Sequence, residues 1–334
     1  GAAHTIMGYG TVLFGANGNN SYDGGTLVSR GRNLDGGYRG VVLSLQGGAI
    51  GTTPDFRTPL GTGQVDVFGE VRIEGASGTA VTGGLNNANT WVFHPGSRIR
   101  FDNNTPFTGD GTTGTRDLGF LLGGGRWADG GGITLNSSVL EMFGDNTDHI
   151  ANREIIGDLT IQGGSEVVIR RDAGDWAELS VGNITRSGTG TLMIATMVAT
   201  TNTANTLGAV ASNVDSSLFL AANGTTLMNN GMVDPWIVSR YDNNFVKYDA
   251  TLGFQAITQG GAPANYLTSA GGTIDGGVLA LNDGTEILNL TTATGTLGAN
   301  LDVYALRLDR DINTSADSVF NKIIIRSGGL MQAA

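Results

Sequence analysis

Short segments of alternating apolar and polar residues recur along the whole chain, with glycine between them. In residues 60–75 (LGTGQVDVFGEVRIEG), two valines alternate with Gln64 and Asp66, and a second alternating pair follows the Phe-Gly break. A period of two residues is typical of a strand with one buried face. The pattern therefore predicts six interior side chains: Val65, Val67, Val71, Ile73, Leu159 and Ile161.

The same alternation predicts strands in further segments: Ile133–Met142, Leu159–Ile169, Leu179–Ile194, Ser217–Leu227, Gly277–Leu290, Leu301–Leu308 and Lys322–Leu330. No segment carries a long apolar stripe with the 3.6-residue period of a helix. Thr191–Asn213 is ambiguous, since it is rich in Ala and Thr, and both a strand and a short helix fit it.

The links between these segments are rich in Gly, Asn, Asp and Thr, residues that favour turns. They are Gly15–Gly25, Gly84–Asn89, Asp102–Asp117 and Thr200–Ala204. Asp102–Asp117 is the predicted protruding loop, or alternatively a seam between two parts of the chain. Residues 1–334 are predicted to form a single domain, with a possible division only at Asp102–Asp117.

Two all-β architectures fit this organisation, a parallel β-helix and an antiparallel β-sandwich. Strand clusters recur at roughly 20 to 25 residues, a spacing typical of solenoid coils. A sandwich hairpin needs a tight turn of two residues. Here the breaks at Gly69 and at Gly163-Gly164 are narrow enough for a corner within one coil. The sequence therefore favours an elongated β-solenoid.

Composition narrows the classes of function. The chain has 334 residues, 55 Gly, no Cys and a net charge of −11. Its 40% hydrophobic content is enough for a substantial core, so disorder is not expected. The acidic balance and the lack of a basic stripe predict no binding to nucleic acid. Without a run of 18 apolar residues, no membrane insertion is expected.

Several motifs resemble the autotransporter-associated β-strand repeat. The residues that carry this resemblance are Thr11-Val12-Leu13, then Asn20-Ser21-Tyr22-Asp23-Gly24-Gly25-Thr26, then Leu60-Gly61-Thr62-Gly63 followed by Val65 and Val67. More residues separate Thr26 from Leu60 than the compact repeat allows. The segments 133–141, 154–161 and 235–248 are similar to spacers in large surface proteins that carry such repeats.

The resemblance implies a right-handed parallel β-helix that is secreted and forms part of a passenger or surface-layer protein. It carries over no catalytic residues. The composition, acidic, free of cysteine and rich in Asn, Thr, Ser and Gly, is also common in bacterial extracellular proteins. Both observations predict a location outside the cell or on its surface.

The sequence predicts no catalytic, cofactor-binding or metal-binding residue. His4, His94 and His149 are far apart and form no zinc-binding motif. Asp148 precedes His149, but adjacent residues of a strand point to opposite faces. No serine has the G-x-S-x-G elbow, and the glycine runs do not precede helices.

Carboxylates are the densest candidate groups. One predicted loop holds Asp102, Asp110 and Asp117, and a second holds Glu141, Asp145, Asp148 and Glu154. A solvated acidic rim and a Ca²⁺ site both fit these clusters, although neither has an EF-hand register.

Two other groups are ambiguous. For Arg170 and Arg171 beside Asp172 and Asp175, a turn ion pair and a polysaccharide-cleaving groove both fit. Four tryptophans fit either core packing or a sugar-stacking ladder: Trp91, Trp127, Trp176 and Trp236.

The predicted function is that of a non-catalytic, extracellular structural β-solenoid, a segment of a bacterial surface or filament protein. The alternatives are a β-helix that binds or cleaves carbohydrate, with surface polysaccharide as partner, and a phage tail fibre. No amphipathic capping helix is expected before Thr11 or after Ile325, and Arg326–Met331 resembles the start of another coil. The chain is therefore expected to be a piece of a longer solenoid or to self-associate, end to end or laterally.

Overall fold

The computed structural model is all-β, with parallel sheets, and confirms that part of the prediction. It describes residues 4–7, 11–14, 23–29, 42–46, 60, 63–74, 90–102, 131–144, 151–171, 176–198, 206–207, 216–240, 243–258, 261–269, 272–274, 283–291, 295–297, 300–309, 312–314 and 322–332. Within these ranges the only helix is one 3-10 turn, Gly224–Leu227. Most of the predicted loop Asp102–Asp117 lies outside the described residues.

The chain divides into two compact units. The first comprises Gly1–Gly224 and Ala250–Phe254, and the second comprises Thr225–Asp249 and Gln255–Ala334. Each unit has its own parallel sheets. The expectation of a single solenoid over residues 1–334 stays a prediction.

The strands of the first unit form three stacks of parallel neighbours, which are called sheets 1, 2 and 3. Sheet 1 consists of β1 (His4–Ile6), β3 (Thr26–Val28), β5 (Val65–Val67), β7 (Trp91–Phe93), β9 (Ile133–Asn136), β12 (Leu159–Gln162) and β15 (Ile184–Arg186). Sheet 2 consists of β2 (Thr11–Phe14), β4 (Val42–Gln46), β6 (Glu70–Glu74), β8 (Arg98–Asp102), β10 (Val139–Phe143), β13 (Gly164–Arg171) and β16 (Thr191–Val198). Sheet 3 consists of β11 (Ala151–Ile155), β14 (Trp176–Val181), β17 (Thr206–Leu207), β18 (Ser216–Ala221) and the start of β23 (Gly253–Ala256).

The chain visits these sheets in turn, and one passage through them is called a rung. From β1 to β10 it alternates between sheet 1 and sheet 2, and from β11 onward sheet 3 joins the sequence. Neighbours within sheets 1 and 2 pair in parallel, as in β5 with β7 and β6 with β8. This pairing is not that of an antiparallel sandwich, in which consecutive strands would pair with each other.

The parallel register of neighbouring strands aligns side chains of similar polarity in rows across the sheet. One inward row of sheet 1 runs Ile6, Val28, Val67, Phe93, Leu135 and Ile161. All six are at most 7% exposed, and the row packs as a continuous apolar column. The predicted facing is confirmed, since Val65, Val67, Val71, Ile73, Leu159 and Ile161 are each at most 2% exposed.

In the described part of the chain, short corners join β5, β7, β9, β12 and β15 of sheet 1 to the next strand of sheet 2. Between β12 and β13 the corner residue is Gly163, with φ of 61°, a left-handed conformation that favours glycine. The matching residue between β9 and β10 is Ser137, with φ of 50°. Its N–H donates to the Gln162 carbonyl at 2.9 Å, so the backbone ladder continues through the corner.

The structure shortens one predicted strand and settles part of an ambiguous segment. Ser217–Leu227 was expected to be one strand, but β18 ends at Ala221 and the 3-10 turn follows. Within the ambiguous segment Thr191–Asn213, Thr191–Val198 forms β16, so the strand alternative holds there. Pairing with β13 over eight residues outweighs the weak strand preference of its alanine.

The second unit also stacks strands in parallel. Sheet 4 consists of β24 (Tyr266–Ser269), β26 (Ile287–Leu290), β28 (Leu301–Leu308) and β30 (Ile323–Gln332), and sheet 5 of β25 (Gly272–Ile274), β27 (Gly295–Leu297) and β29 (Ile312–Thr314). Two antiparallel pairs precede them: β19 (Met228–Asn229) with β20 (Met232–Val233), and β21 (Ile237–Ser239) with β22 (Asn244–Asp249). The core includes Leu288, Leu301 and Val303, each fully buried.

A surface pair on this unit gives a pH-dependent prediction. Arg326 donates from two nitrogens to Asp302, with Nε at 2.7 Å from Oδ1. This hydrogen bond, with the positive charges of Arg326 and Lys322, holds the pKa of Asp302 below its usual range. A lowered folded-state pKa stabilises the fold above the unfolded pKa, and that contribution is lost as pH falls through the folded value.

We expect a carboxyl-carbon NMR titration to show Asp302 titrating below an ordinary aspartate. In Arg326→Gln its midpoint should rise toward the ordinary value, because Lys322 alone remains nearby. Arg240→Gln, another surface arginine of the same unit, is the control and should leave the midpoint unchanged. Equal midpoints in wild type and Arg326→Gln would contradict the prediction.

Candidate functional site: a corner groove on sheet 1

Two motif fragments that are separated in the sequence form one corner beside β3 and β5. The Thr26 hydroxyl donates to the Leu60 carbonyl at 3.2 Å. The Thr26 N–H donates to the Gln64 carbonyl at 2.8 Å. Leu60 is 2% exposed and anchors the second fragment in the core. Thr26 of the first fragment therefore contacts Leu60 of the second fragment and Gln64 directly after it, with its hydroxyl bound to the backbone that precedes β5.

The backbones of this corner approach each other closely at Gly63 and Gly25. A Cβ at Gly63 would lie 2.2 Å from the Gly25 nitrogen and 2.5 Å from the Asp23 carbonyl oxygen. Both contacts are with backbone atoms, which cannot rotate away. Glycine at position 63 is therefore a packing requirement of the corner.

A groove of about 380 Å³ follows this corner on the outer surface. Its lining includes Asp23, Leu27, Gln64 and Asp66. The Gln64 amide donates to both Asp66 oxygens, at 3.0 and 2.9 Å. His94 on the next rung has Nε2 at 2.9 Å from Asp66 Oδ1. Two donor groups, making three contacts, thus hold one carboxylate in a defined orientation at the edge of the groove.

An aromatic stack adjoins this carboxylate. The rings of Phe68 and His94 are parallel within 3°, with centroids 4.1 Å apart. Phe68 is 36% exposed, whereas its neighbours Val65 and Val67 are fully buried. The stack and the hydrogen bond to Asp66 together orient the His94 ring.

Charged side chains on sheet 2 pair across rungs. Arg100 Nε lies 2.9 Å and Arg98 Nη1 3.5 Å from Glu141 Oε2. The guanidinium groups of Arg100 and Arg170 lie over the Phe143 ring, at 4.4 and 4.8 Å from its centroid. This surface is a ladder of mutual ion and cation–π pairs along the sheet.

The structure corrects the second predicted acidic loop. Glu141 lies in β10 and faces the arginines of β8. Glu154 lies in β11, is 1% exposed, and shares its row with Leu179 and Phe219. Asp102 is the last residue of β8. Four members of the two clusters lie outside the described residues: Asp110, Asp117, Asp145 and Asp148. Across the described ranges, no group of three His, Cys, Asp or Glu side chains could hold a metal ion.

The other candidates fall in different places. Arg170 stacks on Phe143, while Asp172 and Asp175, the predicted ion-pair partners, lie outside the described residues, as does His149. Trp91 is 1% and Trp236 9% exposed, which agrees with core packing rather than a sugar ladder for these two. Trp127 lies outside the described residues, and only the backbone of Trp176 is described.

Sequence reasoning missed the cluster of Gln64, Asp66, Phe68 and His94. The sequence did contain one signal, since residues 64, 66 and 68 alternate with Val65 and Val67 and should therefore share the outward face. Pairing of Val67 with Phe93 then places Phe68 and His94 side by side. That register is set by contacts between rungs and not by local alternation, so the periodicity alone does not bring His94 to Asp66.

The chain matches no protein-family model, and no curated protein or solved structure is significantly similar to it. Over the described part of the chain, no helix is both long enough and apolar enough to span a membrane.

Proposed function

We propose that this chain is a non-catalytic structural protein of the bacterial cell surface, in which the parallel sheets of each unit are wound as a right-handed, elongated β-helix. The observation that carries the proposal is the order in which the chain visits its sheets. It passes from sheet 1 to sheet 2, and later to sheet 3, and then returns one rung further along. Such stacking makes each rung the template for the next.

The rows of side chains support a mechanical role. The inward row of sheet 1 is apolar and continuous, while outward positions hold threonine and charged groups. Thr160 and Thr185, for example, lie in one outward row with their hydroxyls 3.2 Å apart. Arg153 and Glu178 form an ion pair at 2.7 Å on adjacent rungs of sheet 3. Polar groups in such ladders stabilise a long surface rather than converging on one reactive point.

The extracellular location rests on the composition and on the resemblance to the autotransporter-associated repeat. The corner geometry supports that resemblance, because Thr26 and Leu60, which belong to separate fragments of the motif, are joined by a hydrogen bond. A role as a passenger, stalk or filament segment follows from the same likeness. Ca²⁺ binding at the acidic segments stays a prediction.

Self-association is the proposed means of action. β30 is the outermost strand of sheet 4, a ten-residue strand that pairs with β28 at seven positions. Leu330 is 61% and Ile323 36% exposed. A strand from a second copy, added parallel to β30, would extend the sheet and cover both side chains.

Analytical ultracentrifugation tests this proposal. From about 1 to 100 µM, a range that spans weak and moderate affinities, we expect the sedimentation coefficient of the wild type to rise. Leu330→Lys should suppress the rise, because a charge would be buried at the added strand. Met193→Lys, at a side chain 40% exposed on β16, is the matched control and should self-associate like the wild type.

A wild-type chain that stays monomeric over this range would refute self-association. Electron micrographs of the same samples would separate the forms of assembly, since a short rod, a long fibre and a two-dimensional lattice are distinct.

A further inference from the structure

We infer that the corner groove, together with the exposed Phe68–His94 stack, is a binding site for a neutral saccharide. This inference goes beyond the proposed structural role and does not depend on self-association. It rests on the alternation of residues 64, 66 and 68, which sets an amide, a carboxylate and an aromatic ring in a line on one outward face.

The aromatic part of the site suits the apolar face of a sugar ring. Phe68 directly follows β5 and is 36% exposed, although the inward positions of that strand are fully buried. Its ring is held parallel to the His94 imidazole at 4.1 Å. The His94 ring covers one face of Phe68, and the exposed part of this side chain, which is held in place, offers apolar surface at little entropic cost on binding. The axial C–H groups of a pyranose present a complementary flat surface.

The polar part suits sugar hydroxyls. Asp66 accepts from Gln64 and from His94, which fixes the plane of its carboxylate. A carboxylate has about four acceptor sites, so it can accept from one further hydroxyl. The Asp23 and Gln64 side chains line the same groove of about 380 Å³, a volume in the range of small-molecule sites.

Charge decides the class of saccharide. Asp23 and Asp66 both line the groove, and the described residues of its lining include no lysine or arginine. The chain as a whole carries a net charge of −11. An anionic polysaccharide would meet repulsion both locally and at long range. A neutral glycan meets none, and its hydroxyls can donate to these carboxylates.

Calorimetric titration of the intact chain with cellohexaose, laminarihexaose and mannohexaose tests the inference. We expect saturable binding of at least one of these neutral oligosaccharides, with a dissociation constant of about 1 mM or tighter. Phe68→Ala and Phe68→Leu should each weaken it at least tenfold, because leucine keeps apolar area but offers no flat ring. Asp66→Asn should weaken it at least fivefold by removing the charged acceptor.

Thr160→Ala, an outward position further along sheet 1, is the control and should bind like the wild type. Circular dichroism should show all variants folded, since the altered side chains are exposed or half-buried. The inference is overturned if none of the three oligosaccharides binds, if both Phe68 variants bind as tightly as the wild type, or if polygalacturonate binds more tightly than the neutral probes. Sedimentation behaviour has no bearing on these outcomes.

Discussion

Val67→Asp is expected to destabilise the first unit by several kcal/mol, the cost of burying an unpaired carboxylate or of forcing it to stay protonated. Val67 is fully buried and lies between Val28 and Phe93 in an inward row of sheet 1. Its two described neighbours in that row, Val28 and Phe93, carry no charge that could pair with a carboxylate. Urea denaturation followed by circular dichroism should show a large fall in the transition midpoint.

The matched substitution is Asp66→Val, one residue away on the opposite face. It removes the contacts with Gln64 and His94 at a half-exposed position, so we expect a loss of only about 1 kcal/mol or less. Valine also suits a strand better than aspartate does. Equal destabilisation by the two variants would show that the assignment of faces is wrong.

Gly63→Ala is expected to disrupt the corner between β3 and β5, at a cost of about 1–3 kcal/mol or more. The added methyl group would lie 2.2 Å from the Gly25 nitrogen, so the two backbones would have to separate. That movement would also stretch the hydrogen bond from the Thr26 N–H to the Gln64 carbonyl. Thermal unfolding should show a clearly lower midpoint.

Gly164→Ala controls for the loss of glycine itself. A Cβ there would meet only the Thr191 hydroxyl, at 3.7 Å, an ordinary contact. Alanine restricts the unfolded chain more than glycine does, so this variant should be as stable as the wild type or slightly more stable. If Gly63→Ala unfolds at the same temperature as Gly164→Ala, the close approach at the corner does not matter for stability.

The strands and the direction of their side chains could be predicted from sequence because each strand has one solvent-exposed face and one buried face. Val65 and Val67 alternate with Gln64 and Asp66, and that alternation alone assigned the faces correctly. The narrow break at Gly163 indicated a corner for a related reason, since its φ of 61° is one that glycine readily adopts.

The contacts between rungs could not be predicted in this way. Glu141 pairs with Arg100, 41 positions earlier in the chain, and that distance depends on loop lengths that carry no periodic signal. Glu154 is predicted to share a loop with Glu141, Asp145 and Asp148, but this prediction is wrong, since Glu154 lies in β11 and occupies an inward row beside Leu179. The candidate groove was missed for the same reason, since His94 reaches Asp66 only through the register of β5 with β7.

The stacking of rungs also bears on how this chain tolerates insertions and deletions. In sheets 1 and 2 a rung pairs only with the rung before it and the rung after it, as β9 pairs with β7 and β12. Loss or duplication of a complete rung, such as residues 133–158, would bring together rows of the same polarity. A single residue inserted within a strand would instead turn every following side chain of that strand to the opposite face. The length of such a chain can therefore change by whole rungs far more readily than by single residues.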